Sequence, residues 1–546
     1  METGKKKNEP ARTKNEPAGQ QKTSETPIRP DLAEVIRRHS FTLDENRPDV
    51  VAKRMQKNQR TARANVEDLC DAGSFIEYGA LTIAAQRGRR SLDDLIAKTP
   101  TDGMIAGVGS INGSMFNEDK SRCMVLAYDY TVLAGTQGFF NHKKKDRMLH
   151  LAHEQRLPLI FFAEGGGGRP GDVDTEGVVV AGLDLTTFGA FAKLSGYVPV
   201  VGVLSGFCFA GNAALLGCCD VIIATRKSNI GMGGPVMIEG GGLGVFKPEE
   251  VGPMDIQTQN GVVDIEVEDD VEAVAVAKKY LSYFQGATSS WEAGDPLKLR
   301  TVIPESRKRA YNVRSVIKAI ADTDSFLELK PKFGPSMVTG LMRIEGRPFG
   351  VIANNSMVMA GAIEAEGADK VARLMQICNA HGLPILSLCD TPGFMVGPEI
   401  EKRAQVRHVC RMFVVGSHVT VPYFTIVLRR GYGLGAMAMA RGGFHASFFT
   451  AAWPTGEFGG MGLEGAVKAG FKKELEAIDD PQKREELYEF LVSQLYERGK
   501  AINMAAHLEI DAVIDPADTR KWIMRGLKTA PAWKPEDAGH SFIDPW

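Results

Sequence analysis

The sequence lacks the features that mark several large classes of protein. It has no run of 18 or more apolar residues, so we expect no transmembrane helix and no membrane partner. Its 65 basic and 67 acidic residues leave a formal charge of −2, a balance that argues against a dedicated nucleic-acid binder. No apolar signal segment opens the chain, and a cytoplasmic location is therefore predicted.

Cysteine is scarce, and familiar catalytic motifs are missing. The eight cysteines form no CxxC pair matched by a second pair or by nearby histidines, so no zinc site is expected. The metal-binding HExxH, the nucleophile elbow GxSxG and the phosphate-binding GxxxxGK[ST] do not occur. This shortage of catalytic side chains favours chemistry carried by a cofactor and by backbone dipoles.

Composition separates a short tail from a long globular remainder. Residues 1–30 are rich in Lys, Glu, Pro and Thr and have almost nothing apolar to bury, which predicts a disordered tail. A mitochondrial presequence is an alternative, although four glutamates and several prolines disturb the basic amphipathic pattern. Residues 31–80 are predicted to be helical and then extended.

From about residue 100, short strands that are apolar on both faces alternate with helices, as in a buried α/β layer. In the first half we predict strands at residues 124–128, 157–162, 198–204 and 220–224, and helices at residues 142–155 and 182–194. In the second half we predict matching strands at residues 349–353, 383–388 and 421–426.

Two dipeptides reveal that this order repeats. The Leu-Pro that begins at Leu157 returns 226 positions later, and the Val-Pro that begins at Val198 returns 223 positions later. We therefore predict an α/β protein of two domains, residues 31–290 and residues 291–546, with one architecture that arose by internal duplication.

Each repeated strand is followed by a glycine-rich loop, at residues 164–169 and 206–212 and again at residues 390–394 and 431–436. Glycines between a strand and a helix either allow a tight turn or leave backbone amides facing an anion. The dinucleotide pattern GxGxxG does not occur here in its βαβ setting. We favour oxyanion holes, in which paired N–H groups hold a thioester oxygen as it becomes an enolate. Two loops of this kind predict two holes and two reaction partners.

These loops resemble those of the carboxyltransferase (β) subunits of biotin-dependent acyl-CoA carboxylases, of the propionyl-CoA and acetyl-CoA type. The family's Ser-Gly-Gly-Ala-Arg loop is similar to residues 165–169, and its Asp-Thr-Pro-Gly-Phe motif stands at residues 390–394. Its Tyr-Gly-Gly-Ala segment resembles residues 432–436, and its Ala-Trp-Pro-Thr segment occupies residues 452–455. The resemblance extends from about residue 35 to the C-terminus.

The resemblance implies two crotonase-like domains of the ββα-superhelix type and a homo-hexameric core, with active sites between the N-terminal domain of one subunit and the C-terminal domain of another. It implies transfer of a carboxyl group from carboxybiotin, on a partner carrier protein, to the α-carbon of an acyl-CoA. The sequence has no Ala-Met-Lys-Met biotinylation site and no ATP-grasp domain. Biotin would therefore belong to a partner, and the implied partners are a biotin carboxylase and a biotin carrier subunit.

Residue matching implies the catalytic groups. Gly166 and Gly167 would supply the hole for the acyl-CoA thioester and stabilise its enolate. Gly435 and Ala436 would supply the hole for the ureido oxygen and stabilise the biotin enolate.

Three further residues are implied to bind substrate. Ala210 and Gly211 would back the first hole. Ala438 stands where many family members carry an aspartate that shapes the acyl pocket, and it is flanked by Met437 and Met439. These methionines indicate either simple core packing or a roomier and more apolar acyl pocket.

Three other functions stay open at this point. The chain could run in reverse as an acyl-CoA decarboxylase subunit, or it could be a scaffold without catalysis. It could also be an acyl-CoA hydratase or isomerase on the same fold, since a fold does not fix a function. That last reaction needs a carboxylate over the acyl chain, and Glu164 is the candidate beside a loop.

Overall fold

The computed structural model describes residues 28–177, 179–538 and 542–546. The predicted disordered tail therefore lies outside the described residues up to residue 27, and Pro30 already begins a helix. Within the described residues, none of the helices combines the length and the apolar character needed to cross a membrane.

Strands form two large sheets and one small one. The first large sheet contains β1 (Ile76–Glu77), β2 (Met104–Ser110), β3 (Arg122–Tyr128), β4 (Leu159–Phe162), β5 (Val200–Leu204), β7 (Val221–Thr225) and β9 (Ile265–Val267). The small sheet pairs β6 (Phe207–Phe209) with β8 (Asn229–Gly231). The second large sheet contains β10 (Leu327–Leu329), β11 (Met337–Ile344), β12 (Arg347–Asn354), β13 (Ile385–Thr391), β14 (Tyr423–Tyr432), β15 (Phe449–Ala452), β16 (Glu457–Gly459) and β17 (Ala512–Val513).

Helices cover and connect the sheets. In the first half they are α1 (Pro30–Ser40), α2 (Pro48–Met55), α3 (Ala62–Leu69), α4 (Leu92–Lys98), α5 (Glu118–Ser121), α6 (Phe139–Gln155), α7 (Thr187–Ala192), α8 (Gly211–Gly217), α9 (Pro235–Gly240), α10 (Met254–Gln257) and α11 (Asp270–Gln285). In the second half they are α12 (Val313–Ile320), α13 (Ala365–His381), α14 (Pro398–Glu401), α15 (Gln405–His418), α16 (Gly433–Met439), α17 (Leu463–Gly470), α18 (Lys472–Glu476), α19 (Pro481–Arg498), α20 (Ala501–Ala506) and α21 (Thr519–Thr529).

The two large sheets share one topology. In each, two antiparallel pairings at one edge are followed by four parallel pairings along the path of the sheet. The register is also shared, because Met124 lies opposite Leu159 in the first sheet and Gly350 lies opposite Ile385 in the second, each residue shifted by 226 positions. A mixed α/β architecture is therefore confirmed, and the four strands predicted in the first half are all present.

The repeated prolines explain why the strands start two residues later than predicted. Proline has no N–H to donate, so it stands just outside a central strand. Its carbonyl still serves the neighbouring strand, since Pro158 accepts from the Met124 amide at 2.8 Å and Pro384 accepts from the Gly350 amide at 2.9 Å. The predicted helix at residues 182–194 is also shorter, and only Thr187–Ala192 is helical.

One long helix lies at the same position in each half. α6 and α13 both have 17 residues and are displaced by 226 positions. Each ends in a left-handed residue, Arg156 with φ 51° and Gly382 with φ 74°, a common way to close a helix.

The hydrophobic core is continuous between the halves. One cluster of buried side chains contains Val203 of the first sheet and Ile352 of the second. α11 contacts β5 and β7 on one side and β11 and β12 on the other. Two further clusters fill the opposite faces of the two sheets. Burial on both faces is the reason why the central strands are apolar throughout.

Candidate active site

The predicted loops lie where parallel strands end. The Gly165–Arg169 loop follows β4, and α8 begins two residues after β6. In the second half, residues 391–394 extend from the end of β13, and α16 begins directly after β14. The carboxyl ends of parallel strands are where ligands bind in many open α/β sheets, so both loop pairs are well placed for a site.

In the first half, two of the predicted donors are already engaged. The Gly166 amide donates to the carbonyl of Ala134 at 3.0 Å, and the Gly167 amide donates to Oδ1 of Asn212 at 3.1 Å. The structure records no hydrogen bond from the amides of Gly168 or Gly211 to the described residues. Two amides are therefore free to bind a ligand oxygen. One is that of Gly168, one residue beyond the predicted pair, and the other is that of Gly211, at the start of α8.

Ala210 supports this arrangement through its backbone. It has a positive φ of 50°, which costs energy for a residue with a side chain. Its amide donates to the Gly231 carbonyl at 3.2 Å, and its methyl lies 2.7 Å from where a Cβ on Gly167 would stand. Glycine is therefore required at 167, both for this contact and for its own φ of 92°.

In the second half, the predicted donors lie in the first turn of α16. Gly435 and Ala436 are buried. The Gly435 amide belongs to the first three helical residues, which have no intrahelical acceptor, whereas Ala436 is the fourth, the position whose amide donates to the N-cap carbonyl of Tyr432. A Cβ on Gly435 would stand 2.7 Å from the Cα of Gly393, so the 391–394 loop packs directly on this turn. The 391–394 loop therefore contacts the start of α16, just as Gly167 of the first glycine loop contacts Ala210 at the start of α8.

Ala438 lies on α16 with its side chain fully buried in the core, and its part in shaping an acyl pocket stays a prediction. The preceding residue, Met437, is 38% exposed and lines a cavity beside α16. The reason is helical geometry, since successive side chains on a helix point in different directions.

Asn212 is a site residue that the sequence reasoning did not identify. Besides accepting from Gly167, its Nδ2 donates to the carbonyls of Gly135 and Ala163, both at 3.3 Å. This buried carboxamide holds the glycine loop against the end of β4. The sequence feature that could have identified Asn212 is an asparagine within a glycine-rich segment at the start of a helix.

A buried acid also precedes each loop, and the two acids are 226 positions apart. Glu164 pairs with Arg54, whose Nη1 lies 2.9 Å from Oε1 and whose Nη2 lies 2.8 Å from Oε2. Asp390 pairs with Arg429 at 2.9 Å and with Arg430 at 2.7 Å. No local pattern in the sequence indicates these arginine partners, which for Glu164 lie 110 positions away along the chain.

The two acids titrate in opposite directions. Burial raises the pKa of Glu164 to about 7, against the opposing pull of Arg54. Burial also acts to raise the pKa of Asp390, but Arg430 and Arg429 together lower it below its ordinary value. Glu164 is occupied by Arg54 and shielded from solvent, so it is not poised over an acyl chain as a hydratase would require.

Comparison with known proteins identifies a family for this chain. The family described as the carboxyl transferase domain matches residues 53–536. The methylmalonyl-CoA carboxyltransferase 12S subunit of Propionibacterium freudenreichii subsp. shermanii is 32% identical over 497 residues, which are 88% of this chain and 90% of that protein.

Two solved structures are also similar. A single-chain, multi-domain long-chain acyl-CoA carboxylase is 56% identical, with a TM-score of 0.87 over 91% of this chain. This chain covers 49% of that enzyme, or about half its length. A transcarboxylase 12S crystal structure, described as a hexamer assembly with methylmalonyl-CoA bound, is 29% identical, with a TM-score of 0.79 over 94% of this chain and 99% of that one.

Proposed function

Because this chain belongs to the carboxyl transferase domain family, we propose that the carboxyl transfer it catalyses runs from a biotin group on a partner carrier protein to the α-carbon of an acyl-CoA. The observation that carries the proposal is that, among the described residues, each half has a backbone amide without a recorded acceptor beside a glycine loop, as Gly168 and Gly435 show. Bound biotin would supply the activated carboxyl group, and this chain would supply the holes that stabilise negative oxygen.

We place the acyl-CoA hole in the first half. The loop of Gly166, Gly167 and Gly168 frames it, and the free amides of Gly168 and Gly211 would donate to the thioester oxygen. Donors that are fixed before the reaction cost no reorganisation when charge develops on that oxygen. The engaged amides of Gly166 and Gly167 keep the loop in position, with Ala210 behind it.

The second hole would receive the ureido oxygen of biotin. Gly435 and Ala436 would line this hole, since the Gly435 amide opens from the first turn of α16 and the positive end of the helix dipole favours an anionic oxygen. These residues hold an oxygen and exclude water; no side-chain acid or base is needed from them.

The shared topology of the two large sheets supports a division of the chain into two domains. We propose two crotonase-like domains, residues 31–290 and 291–546, that descend from one duplicated unit. The common strand order, the common register and the 17-residue helices 226 positions apart support this origin.

Substrate and assembly are proposed from the relatives. The 56% identity to a long-chain acyl-CoA carboxylase favours a long acyl chain. The similarity to a hexameric transcarboxylase core favours a homo-hexamer. We propose a biotin carboxylase and a biotin carrier as its partners and the cytoplasm as its location.

The direct test measures carboxyl transfer in reverse. The purified protein is mixed with free biotin and a carboxylated acyl-CoA, and release of CO2 is followed with and without biotin. Biotin-dependent decarboxylation is expected, and a cognate biotin carrier should increase it. If no member of a broad panel of acyl-CoA compounds reacts in either direction, even with that carrier, the proposal is wrong.

A further inference from the structure

Gln137 lies directly beside the first glycine loop, just before α6 begins. Its amide donates to the Gly167 carbonyl at 2.7 Å, and its carbonyl accepts from the Arg169 amide at 3.0 Å. These two hydrogen bonds form a parallel bridge between Gln137 and Gly168. In such a bridge, the residue between the two bonded positions turns its own N–H to the opposite side. The bridge therefore explains why the Gly168 amide stays free while the amides on either side of it are engaged.

The side chain of Gln137 reaches the other donor of the same hole. A Cβ on Gly211 would stand 2.8 Å from Oε1 of Gln137 and 3.2 Å from its Nε2, so the carboxamide packs against the first residue of α8. Gln137 is only 5% exposed, which leaves its side chain little room to move. Gln137 thus contacts both sides of the hole, through its backbone at Gly168 and through its side chain at Gly211.

Hydrogen bonds fix the chain on both sides of Gln137. Arg169 holds the preceding residue, since its Nη2 donates to the Thr136 carbonyl at 2.8 Å and its Nε donates to the Thr136 hydroxyl at 3.2 Å. On the other side α6 begins, and the Phe139 amide donates to Oδ2 of Asp172 at 2.9 Å. Site geometry is held most precisely by regular elements and by a connected shell of hydrogen bonds. Gln137 is therefore well placed to fix the geometry of the first hole.

The second half repeats the bridge but not the side chain. Ile363, 226 positions after Gln137, forms the equivalent parallel bridge with Phe394. The Ile363 side chain is fully buried in the hydrophobic core, and a Cβ on Gly435 would meet the backbone of Gly393 instead. The polar side chain at this position thus belongs to the half in which we place the acyl-CoA hole.

We propose that Gln137 is a positioning residue that sets the distance between the Gly168 and Gly211 amides. The inference rests on the proposed function, because it needs a thioester oxygen between these two donors. One oxygen accepts both hydrogen bonds only if the two amides stand at the correct separation, and a displacement of about 1 Å can lower a rate about 100-fold. The Gln137 side chain acts through the two glycines and does not itself contact the substrate.

Shortening the side chain tests this role. Gln137→Ala removes the contact with Gly211 but leaves the backbone bridge to Gly168. We expect kcat for carboxyl transfer to fall about 10–100-fold with little change in the KM for acyl-CoA, as for an interaction that is made in the transition state. Gln137→Met has an unbranched side chain of similar length, which restores the contact, and it should keep kcat within about threefold of wild type.

An infrared measurement separates positioning from a merely structural role. In an acyl-CoA that is isotope-labelled at the thioester carbonyl, hydrogen bonds to the oxygen lower the frequency of the C=O stretch on binding. We expect Gln137→Ala to lose about half of the wild-type shift, since one of two donors is displaced, and Gln137→Met to keep it. Gln285→Ala is the matched control, because Gln285 is 4% exposed and lies in α11. This control should lower the melting temperature and leave both kcat and the C=O shift unchanged.

The outcomes separate this inference from the proposed function. If wild type transfers no carboxyl group to or from any acyl-CoA, the proposed function and the inference both fail. If wild type is active and Gln137→Ala keeps its kcat and C=O shift, or if Gln137→Met loses as much as Gln137→Ala, only the inference is wrong. If Gln137→Ala does not fold, Gln137→Asn, which is one methylene shorter than wild type, decides: an intermediate loss of kcat and of the C=O shift supports the inference, and wild-type values overturn it.

Discussion

The matched acids Glu164 and Asp390 should give the protein two opposite responses to pH. In Glu164 the pKa rises from an ordinary value of 4.5 to about 7. The folded state then holds a proton that the unfolded state has released, so stability falls as pH rises through this window. With 1.36 kcal/mol for each pH unit, the loss is about 3 kcal/mol between about pH 4.5 and pH 7.

Glu164→Gln isolates this contribution. The amide keeps an oxygen that can accept from Arg54 but does not titrate. Urea unfolding of wild type and variant, followed by tryptophan fluorescence at several pH values, gives the difference in unfolding free energy. We expect wild type to lose about 3 kcal/mol relative to the variant across the window.

Asp390→Asn is the control at the equivalent position in the other half. The lowered pKa of Asp390 means that its stabilising effect is present above its ordinary pKa of 3.8 and is lost only as pH falls below that value. Wild type should exceed this variant by about 3–5 kcal/mol at neutral pH, because the substitution leaves Arg429 and Arg430 without their buried carboxylate. The difference should be constant across the window in which Glu164 titrates.

The same Glu164 variant separates two functions. A carboxyltransferase with backbone holes should remain active in Glu164→Gln, whereas a hydratase that uses this acid would lose turnover. If wild type instead gains stability over Glu164→Gln as pH rises, the Arg54 pair outweighs the burial of Glu164, and the reasoning is refuted.

Two substitutions test the loops themselves. Asn212→Ala removes the acceptor of the buried Gly167 amide and should lower the free energy of unfolding by about 1–3 kcal/mol, as measured by urea denaturation. Steady-state kinetics should show a lower kcat, and an unchanged kcat would show that the loop keeps its conformation without Asn212. Gly435→Ala places a methyl 2.7 Å from the Cα of Gly393 and should lower kcat by about 10²–10³, the usual effect of losing one oxyanion donor. Gly470→Ala, where a methyl meets nothing within 4 Å, is its control, and equal activity of both variants would contradict the second hole.

The repeated strands could be read from the sequence because their signal is local. A buried strand is apolar along its whole length, and the Leu-Pro and Val-Pro dipeptides mark where two of these strands begin in each half. Only the first residues of the strands differ from the prediction. The proline carbonyl accepts a hydrogen bond from the neighbouring strand, but proline has no N–H to donate and so lies outside the strand.

Long-range polar contacts could not be predicted in this way. The acidic run from Asp264 to Glu272 has the composition of a solvated surface. Asp264 is nevertheless buried, where it accepts from the Ile222 amide at 2.7 Å. Asp270 is also buried and receives Nδ2 of Asn65 at 3.0 Å. These partners come from distant segments, which no local pattern identifies.

Long-range contacts also explain why the donors of the first hole could not be predicted. A run of four glycines indicates that amides are exposed, but it does not say which of them the protein uses itself. The Asn212 side chain accepts from the Gly167 amide, 45 positions away. The Ala134 carbonyl accepts from the Gly166 amide, 32 positions away. The sequence therefore predicted the loop correctly in its location and could not resolve the donor to a single residue.

The equivalent acids also indicate how two similar loops can serve different oxygens. Asp390 carries one negative charge beside two arginines, so the base of the second loop has a net positive charge. Glu164 has a single arginine and shares its surroundings with Asp129 and Asp270, both of which raise its pKa further. Within a buried site such charges act strongly on a nearby anion. We therefore expect the second loop to favour an anionic oxygen more strongly than the first.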